Sequence, residues 1–232
     1  MKRNGFLAIA LAAAVTIGCN SNDRKDVNAS NPSGSGSAPV GTAGTNTKVS
    51  NGDKDFVHDV AIANTAEIEL GKIAAERGTN SEVKKFGQMM VDEHTKAGDS
   101  FKALASEHNI AVPTDLDDKH RDLRDKLAKL QGADFDREYM DAMVNGHEDV
   151  LDRVGSRVDK AKLDERKAQI TDSASGKKIK ERIEAVSVIP EKSDNPVTMS
   201  INEWAASTYP VVEAHLEAAK TIKDALKKRM TN

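Results

Sequence analysis

One cysteine, Cys19, stands in 232 residues. Without a second thiol the chain cannot close an intrachain disulfide or build a cysteine-rich metal cluster. Aromatic residues are almost as scarce, at 3% of the chain. So few rings, beside abundant Ala, Lys and Glu, favour helices over a β-sandwich. Charge of one sign is missing too. Thirty-four Lys and Arg against 37 Asp and Glu leave −3 at pH 7. The two signs alternate along the chain, which reads as solvated helix faces and offers no basic field for nucleic acid. No phosphate-binding loop and no paired nucleophile and base are present, so nothing supports hydrolase or transferase chemistry. The length suffices for one domain with a real core plus extensions.

The first 23 residues read MKRNGFLAIALAAAVTIGCNSND. Lys2 and Arg3 precede an apolar stretch, Phe6 to Ile17, that is too short for a comfortable transmembrane helix. Gly18 and Cys19 follow directly, and the segment resembles a bacterial lipoprotein signal whose cysteine is lipidated and becomes the mature first residue. An ordinary secretory signal that contains a cysteine fits the same residues. The lipoprotein reading implies a signal over 1–18 and a membrane anchor at Cys19. Asn20 is not the aspartate associated with inner-membrane retention, so the expected location is the outer membrane, facing the periplasm. Residues 19–52 are dominated by Ser, Gly, Asn and Thr and cannot bury enough surface to offset ordering entropy. They read as a tether, with a folded domain over 53–232.

Apolar residues then recur every three or four positions. One helix carries Phe56, Val60, Ala63, Glu67, Leu70 and Ala74 and ends near Gly78. A second carries Val83, Phe86, Met90, His94, Ala97, Phe101, Leu104 and His108. A short amphipathic piece over about 117–130 precedes a third long helix with Phe135, Tyr139, Met143, His147, Val150 and Val154. Residues 159–198 read as an inserted excursion, with a Ser/Gly break at 173–176 and a short helix at 177–187. In the last helix Ser200 and Glu203 have the spacing of a capping box, and Trp204, Thr208, Val211, His215, Ala218, Ile222 and Leu226 form a seam interrupted by Pro210. The expected fold is an all-α, up-down-up-down four-helix bundle with an inserted segment before the last helix.

Each long seam contains one polar residue where the pattern demands an apolar one: Glu67, His94, His147 and His215. Counting ~1.5 Å per residue from the first turn, Glu67 and His94 fall within roughly 6 Å of one level. Three imidazoles and a carboxylate at matching depth suit a transition metal such as Fe, Zn, Mn or Cu. The same residues could instead be hydrogen-bonded core groups, and both readings stay open. Glu69, Asp92, Glu93 and Glu148 are the nearby acids able to orient such ligands, Glu93 being turned away from His94 by helical geometry. His58, His108 and His120 fall at ends or loops, while Met89, Met90, Met140 and Met143 read as packing.

AEIELGKIAAERGTNSEVKKFGQMMVDEH (66–94), GADFDREYM (132–140) and PVVEAHL (210–216) resemble the bacterial domain of unknown function 4142 family, placed among ferritin-like bundles. The resemblance spans about 53–158 and 200–228; the family's connection is shorter where this chain has 159–198. It implies the bundle and an envelope location. The di-iron members of the wider superfamily use Glu-x-x-His pairs. Here Val91, Val144 and Val212 stand three residues before the histidines, so the resemblance does not carry di-iron chemistry to this chain. The expected function is metal handling or stress protection through a core metal; a metal-free structural or interaction module is the alternative, and a redox enzyme comes third.

Overall fold

The computed structural model describes residues 48–172 and 187–230. Cys19, the tether over 19–52 up to residue 47, and nearly all of the expected helix at 177–187 lie outside the described residues. Among the described residues there are six helices: α1 (Asn51–Arg77), α2 (Ser81–Glu107), α3 (Asp118–Lys129), α4 (Gly132–Gly155), α5 (Lys160–Asp172) and α6 (Pro196–Met230). The long ones, α1, α2, α4 and α6, form a ring in which α1 packs on α2 and α4, and α6 packs on α4 and α2. Every neighbour runs antiparallel. Phe56 meets Phe101 while Gly71 meets Gly87, and Asp59 meets Arg153 while Glu67 meets His147. Phe101 likewise meets Trp204 as Glu93 meets His215, so α1 and α6 run one way and α2 and α4 the other. The order is up-down-down-up, not the up-down-up-down path expected from the sequence, because the α2–α4 connection returns along the bundle from Ile110, packed with Phe56, to Leu127, packed with Leu70.

The helix ends follow from local chemistry. Ser50 Oγ accepts from the Asp53 amide at 3.0 Å, and Asn80 Oδ1 from the Glu82 amide at 2.8 Å, which satisfies donors that an N-terminus leaves without intrahelical partners. Gly78 ends α1. The turn after it is held by Asp136 of α4, which accepts from the Thr79 amide at 2.9 Å and the Asn80 amide at 2.8 Å. The α1–α2 approach is backbone-close. A Cβ at Gly87 would stand 2.7 Å from the Gly71 carbonyl oxygen, and one at Gly71 would stand 2.8 Å from that of Gly87. Only glycine permits this spacing without a backbone shift.

Two features of α6 differ from the sequence expectation. The helix begins at Pro196, not at Ser200. Asn195 Oδ1 accepts from the Val197 and Thr198 amides, and Pro196 takes the first helical position, where its missing N–H costs nothing. Ser200 is already inside the helix, with its hydroxyl donating to the Pro196 carbonyl. The buried line also runs one residue off the expected seam, through Ala205, Tyr209, Val212, Leu216 and Ala219. The helix packs on several neighbours at once, so its apolar arc is wider than one stripe. It continues through Pro210.

The 159–198 excursion is anchored at its base. An antiparallel bridge joins Val158 to Pro190, with Asp159 N–H donating to Ile189 O at 2.8 Å and Glu191 N–H to Arg157 O at 3.0 Å. The first part of the excursion is α5, which inserts Leu163 into the core and buries Arg166 against Glu213 of α6 at 2.8 Å.

The interior has two apolar halves. Phe56, Val57, Phe101, Val154, Ile201 and Tyr209 belong to one, and Leu70, Phe86, Met90, Phe135, Tyr139 and Leu216 to the other. At the end of the first half, fully buried Asp53 joins three segments. It pairs with Arg157 at 2.7 Å and accepts from the hydroxyls of Ser50 (2.7 Å) and Thr198 (2.8 Å). Burial works to raise the Asp53 pKa, but these hydrogen bonds and the Arg157 charge outweigh it and hold it below the ordinary value. A depressed folded pKa stabilises above the unfolded pKa and ceases to do so as pH falls through the folded one. Asp53→Asn should therefore cost about 3 kcal/mol at neutral pH, because it strands Arg157. The difference from wild type should shrink below about pH 4. Urea unfolding of both chains at pH 7 and pH 3 checks this; equal midpoints at pH 7 would remove Asp53 from the stabilising role.

Candidate metal centre

Between the two apolar halves lies a polar layer. Glu67 comes from α1, His94 from α2, His147 from α4 and His215 from α6, so each long helix contributes one side chain. Glu67, His147 and His215 are at most 5% exposed, and the His94 side chain is 12% exposed. The ring centres of His215 lie 5.5 Å from those of both His94 and His147, and His94 and His147 are 6.1 Å apart. One ligand nitrogen from each histidine lies within 4.8 Å of the other two.

The outward nitrogen of each ring is engaged. His94 Nδ1 is 3.1 Å from Asn64 Oδ1, His147 Nδ1 is 2.8 Å from the Met143 carbonyl oxygen, and His215 Nε2 is 2.8 Å from Glu93 Oε2. For a neutral His147 or His215 ring the acceptor places the proton on the outward nitrogen. The opposite atoms, His147 Nε2 and His215 Nδ1, are buried and have no hydrogen-bond partner, while His94 stands between two acceptors, with Asn64 Oδ1 at its Nδ1 and Glu67 Oε2 at its buried Nε2. Two lone pairs are thus left in a dry layer beside the His94–Glu67 contact, and the outer nitrogen of each ring is held by an amide, a carbonyl or a carboxylate. Metal-binding histidines share this arrangement of outer partners.

Glu67 supplies the negative charge. Its Oε2 lies 2.7 Å from His94 Nε2 and its Oε1 lies 3.4 Å from His147 Nδ1. At 2.7 Å an ionised carboxylate and a bare nitrogen lone pair would repel, so in the metal-free layer this contact holds a proton between Glu67 and His94 Nε2. Burial pushes the Glu67 pKa up, but His147, then His94 and His215, outweigh it and bring it to about 2. For His94, burial pulls down and Glu67, assisted by Glu93, pulls up further, so its pKa is raised. His147 is lowered: burial dominates, and the other two histidines add to it against Glu67. A carboxylate, one proton-accepting imidazole and a neutral imidazole therefore share the layer. The Tyr139 hydroxyl is buried without a partner, and burial beside Glu67 keeps it protonated.

Of the acids proposed from sequence to orient the histidines, only Glu93 does so. Helical geometry turns it away from His94, as the sequence implies, and towards His215 on the neighbouring helix. Glu69 faces Arg124 at 3.6 Å, Asp92 accepts from Gln88 at 2.9 Å, and Glu148 pairs with Lys220 at 3.0 Å. Asn64 and the Met143 carbonyl were not foreseen. Asn64 stands three residues before Glu67, a spacing that puts both on one helix face. It fits because α2 has Gly98 there, where a Cβ would come within 2.6 Å of Asn64 Nδ2. His58 pairs with Asp59, His120 pairs with Asp117, and His108 caps α2, all away from the layer. Met90, Met140 and Met143 pack in the second apolar half. Val144 and Val212 are buried as well, and no carboxylate stands three residues before any of the three histidines.

Residues 38–187 match the family model described as domain of unknown function 4142, about two thirds of the chain, and the chain belongs to that family. The matched span holds Glu67, His94 and His147 and runs into the 159–198 excursion; it stops before α6 and His215. No curated protein and no solved structure matches the chain.

The tautomers are open to a direct check. Nitrogen-detected NMR of the metal-free chain at alkaline pH should find His147 protonated on Nδ1 and His215 on Nε2, with the His94 proton divided between Nδ1, towards Asn64, and Nε2, towards Glu67. Gly98→Ala should displace Asn64 and move the His94 proton to Nε2, leaving the other two rings unchanged. An unchanged His94 spectrum would mean that Asn64 does not set its orientation.

Proposed function

We propose that this protein is an envelope lipoprotein whose bundle holds one transition-metal ion in its polar layer, for metal handling or stress protection. The supporting observation is that one nitrogen from each of His94, His147 and His215 gathers within 4.8 Å in a buried layer, where His147 Nε2 and His215 Nδ1 have no partner and Glu67 stands beside His94 Nε2. Bonds of ~2.0–2.1 Å in a tetrahedral site place neighbouring ligand atoms roughly 3.3 Å apart. Small rotations would bring the three rings to that spacing. Glu67 Oε2, already beside His94 Nε2, would be the fourth ligand. Imidazole donors suit Fe, Zn, Mn or Cu at this position. The bound ion would supply Lewis acidity or, for a redox-active metal, one-electron chemistry. The chain's own residues would hold it, orient the three rings and exclude water.

One observation favours a second reading, a metal-free structural or interaction module. The Glu67–His94 pair lets the layer balance its own charge with a proton. Elemental analysis of protein purified without a polyhistidine tag separates the two. About one Zn, Fe, Mn or Cu per chain is expected, lost in the His94→Ala/His147→Ala/His215→Ala variant. Asn64→Ala and Glu93→Gln should weaken binding by roughly 10–100-fold, since they release rings without removing them. No stoichiometric metal in the wild-type chain would leave the metal-free reading in place.

Location rests on the N-terminal sequence, where Cys19 follows the apolar stretch. A lipid on Cys19 would tie the domain to the outer membrane, with residues 20–47 as the spacer; the expected tether to 52 is shortened because Ser50 caps α1, which begins at Asn51. Metabolic labelling with a radioactive fatty acid should mark the wild-type protein, and Cys19→Ser should abolish the label and release the protein from the membrane fraction. Persistent labelling of Cys19→Ser would exclude this anchor.

A further inference from the structure

A groove of about 770 Å³ runs between α1 and α4, with α3 along one side. It reaches Ala66, Glu67, Leu70 and Met143, all buried, so it ends against the polar layer. Its outer walls carry carboxylates from α1, α4 and the N-cap of α3, among them Asp59, Asp117, Asp141, Asp149 and Asp152. Lys119, His120 and Arg153 are the basic residues facing them. Most of these acids are paired, Asp59 with Arg153, Asp117 with His120, Glu138 with Lys126, Asp141 with Lys223 and Asp149 with Lys119. Asp152 and buried Glu67 add carboxylates beyond these pairs, so with neutral histidine the recess keeps a negative excess. Such a recess concentrates cations and speeds their arrival.

Its narrowest lining residue is also informative. Gly146 stands within α4, where glycine costs about 1 kcal/mol relative to alanine. A Cβ there would meet only Glu67 Oε1, at 3.9 Å. The backbone of Gly146 therefore leaves a gap beside the buried carboxylate, immediately before His147 in the chain. Packing against other helices does not require glycine at this point, in contrast to Gly71 and Gly87.

We propose that this groove is the path by which a divalent cation reaches the histidine layer, with Gly146 as its opening and Glu67 as the first group to take the ion. The inference rests on the metal reading and adds a direction of approach to it. The opposite flank, where His94 and Glu93 are less buried between α2 and α6, is the competing route. It places one acid at the surface, whereas the groove holds several in one recess with Glu67 at its buried end.

The test is stopped-flow loading of the metal-free, full-length chain with Co²⁺, followed by its visible absorption, with final stoichiometry measured separately. Gly146→Leu should reach the wild-type cobalt content but load roughly tenfold or more slowly. Asp149→Asn/Asp152→Asn should load severalfold more slowly at low ionic strength, and the difference should vanish at high salt. Wild-type loading rates in Gly146→Leu would overturn the path and assign approach to the Glu93 flank. If Gly146→Leu does not fold, the double aspartate variant decides alone, and salt-independent wild-type rates there overturn the proposal. A wild-type chain that takes up no cobalt would fail the metal reading itself, before any variant is compared.

Discussion

A carboxylate buried at the centre of an apolar bundle must have its charge answered, and the arrangement of this protein follows from how Glu67 is answered. Placed alone in that interior it would be protonated or would unfold the helix around it. Three imidazoles, one from each of the other long helices, surround it and reverse that outcome, bringing its pKa to about 2. Each ring is then fixed from behind, by Asn64, by the Met143 carbonyl and by Glu93. Because all four long helices contribute, none can slide or rotate by a residue without breaking the layer. It therefore serves as a register mark for the whole bundle, a use for which buried polar groups are well suited.

The apolar halves and the outer staples have to hold this geometry. On one side Phe86 packs 6.3 Å from the His147 ring, which limits its rotation. The Gly71–Gly87 contact draws α1 and α2 together, and the Asn64 side chain occupies the space left by Gly98, so Glu67 and His94 meet at 2.7 Å. At one end Asp136 fixes the α1–α2 turn to α4. At the other, Asp53 ties the start of α1 to Arg157 and to Thr198 of α6. Arg166 reaches in from α5 to Glu213, two residues before His215, so the excursion also bears on the helix that carries the third imidazole. The low aromatic content fits this design: small residues allow close helix contacts, and polar staples supply the order that large rings would otherwise impose.

The four polar interruptions were legible in the sequence because helical periodicity is strict over long helices, and a polar residue on a buried stripe is conspicuous. Their outer partners were not. Which nitrogen of a ring faces inward depends on the neighbouring helix, so Glu93 was judged against His94, its sequence neighbour, when its partner was His215, 122 positions away. A backbone carbonyl such as that of Met143 leaves no mark in a sequence at all. The start of α6 was hidden for a different reason. Ser200 and Glu203 imitate a capping box, but Asn195 and Pro196, a sound N-cap and first position, lie earlier and win, since helix start is set by the first satisfied cap. The excursion resisted reading because α5 has weak amphipathic character and is held by two side chains, Leu163 and Arg166, one of them charged.

The valines three residues before each histidine constrain the chemistry further. A second ion would need its own carboxylates inside the layer, and Val144 and Val212 occupy two of those positions as buried apolar groups. With neutral rings and one ionised carboxylate, the ligand set carries a single negative charge. A divalent ion would leave the layer at +1, a residue that Glu93 behind His215 is placed to balance. Two divalent ions would leave +3 in an apolar interior with no further buried acid among the ligands to offset it. On the proposed metal reading the donor set would match one ion in number and charge, and the same counting lets the layer stand closed on a single proton between Glu67 and His94.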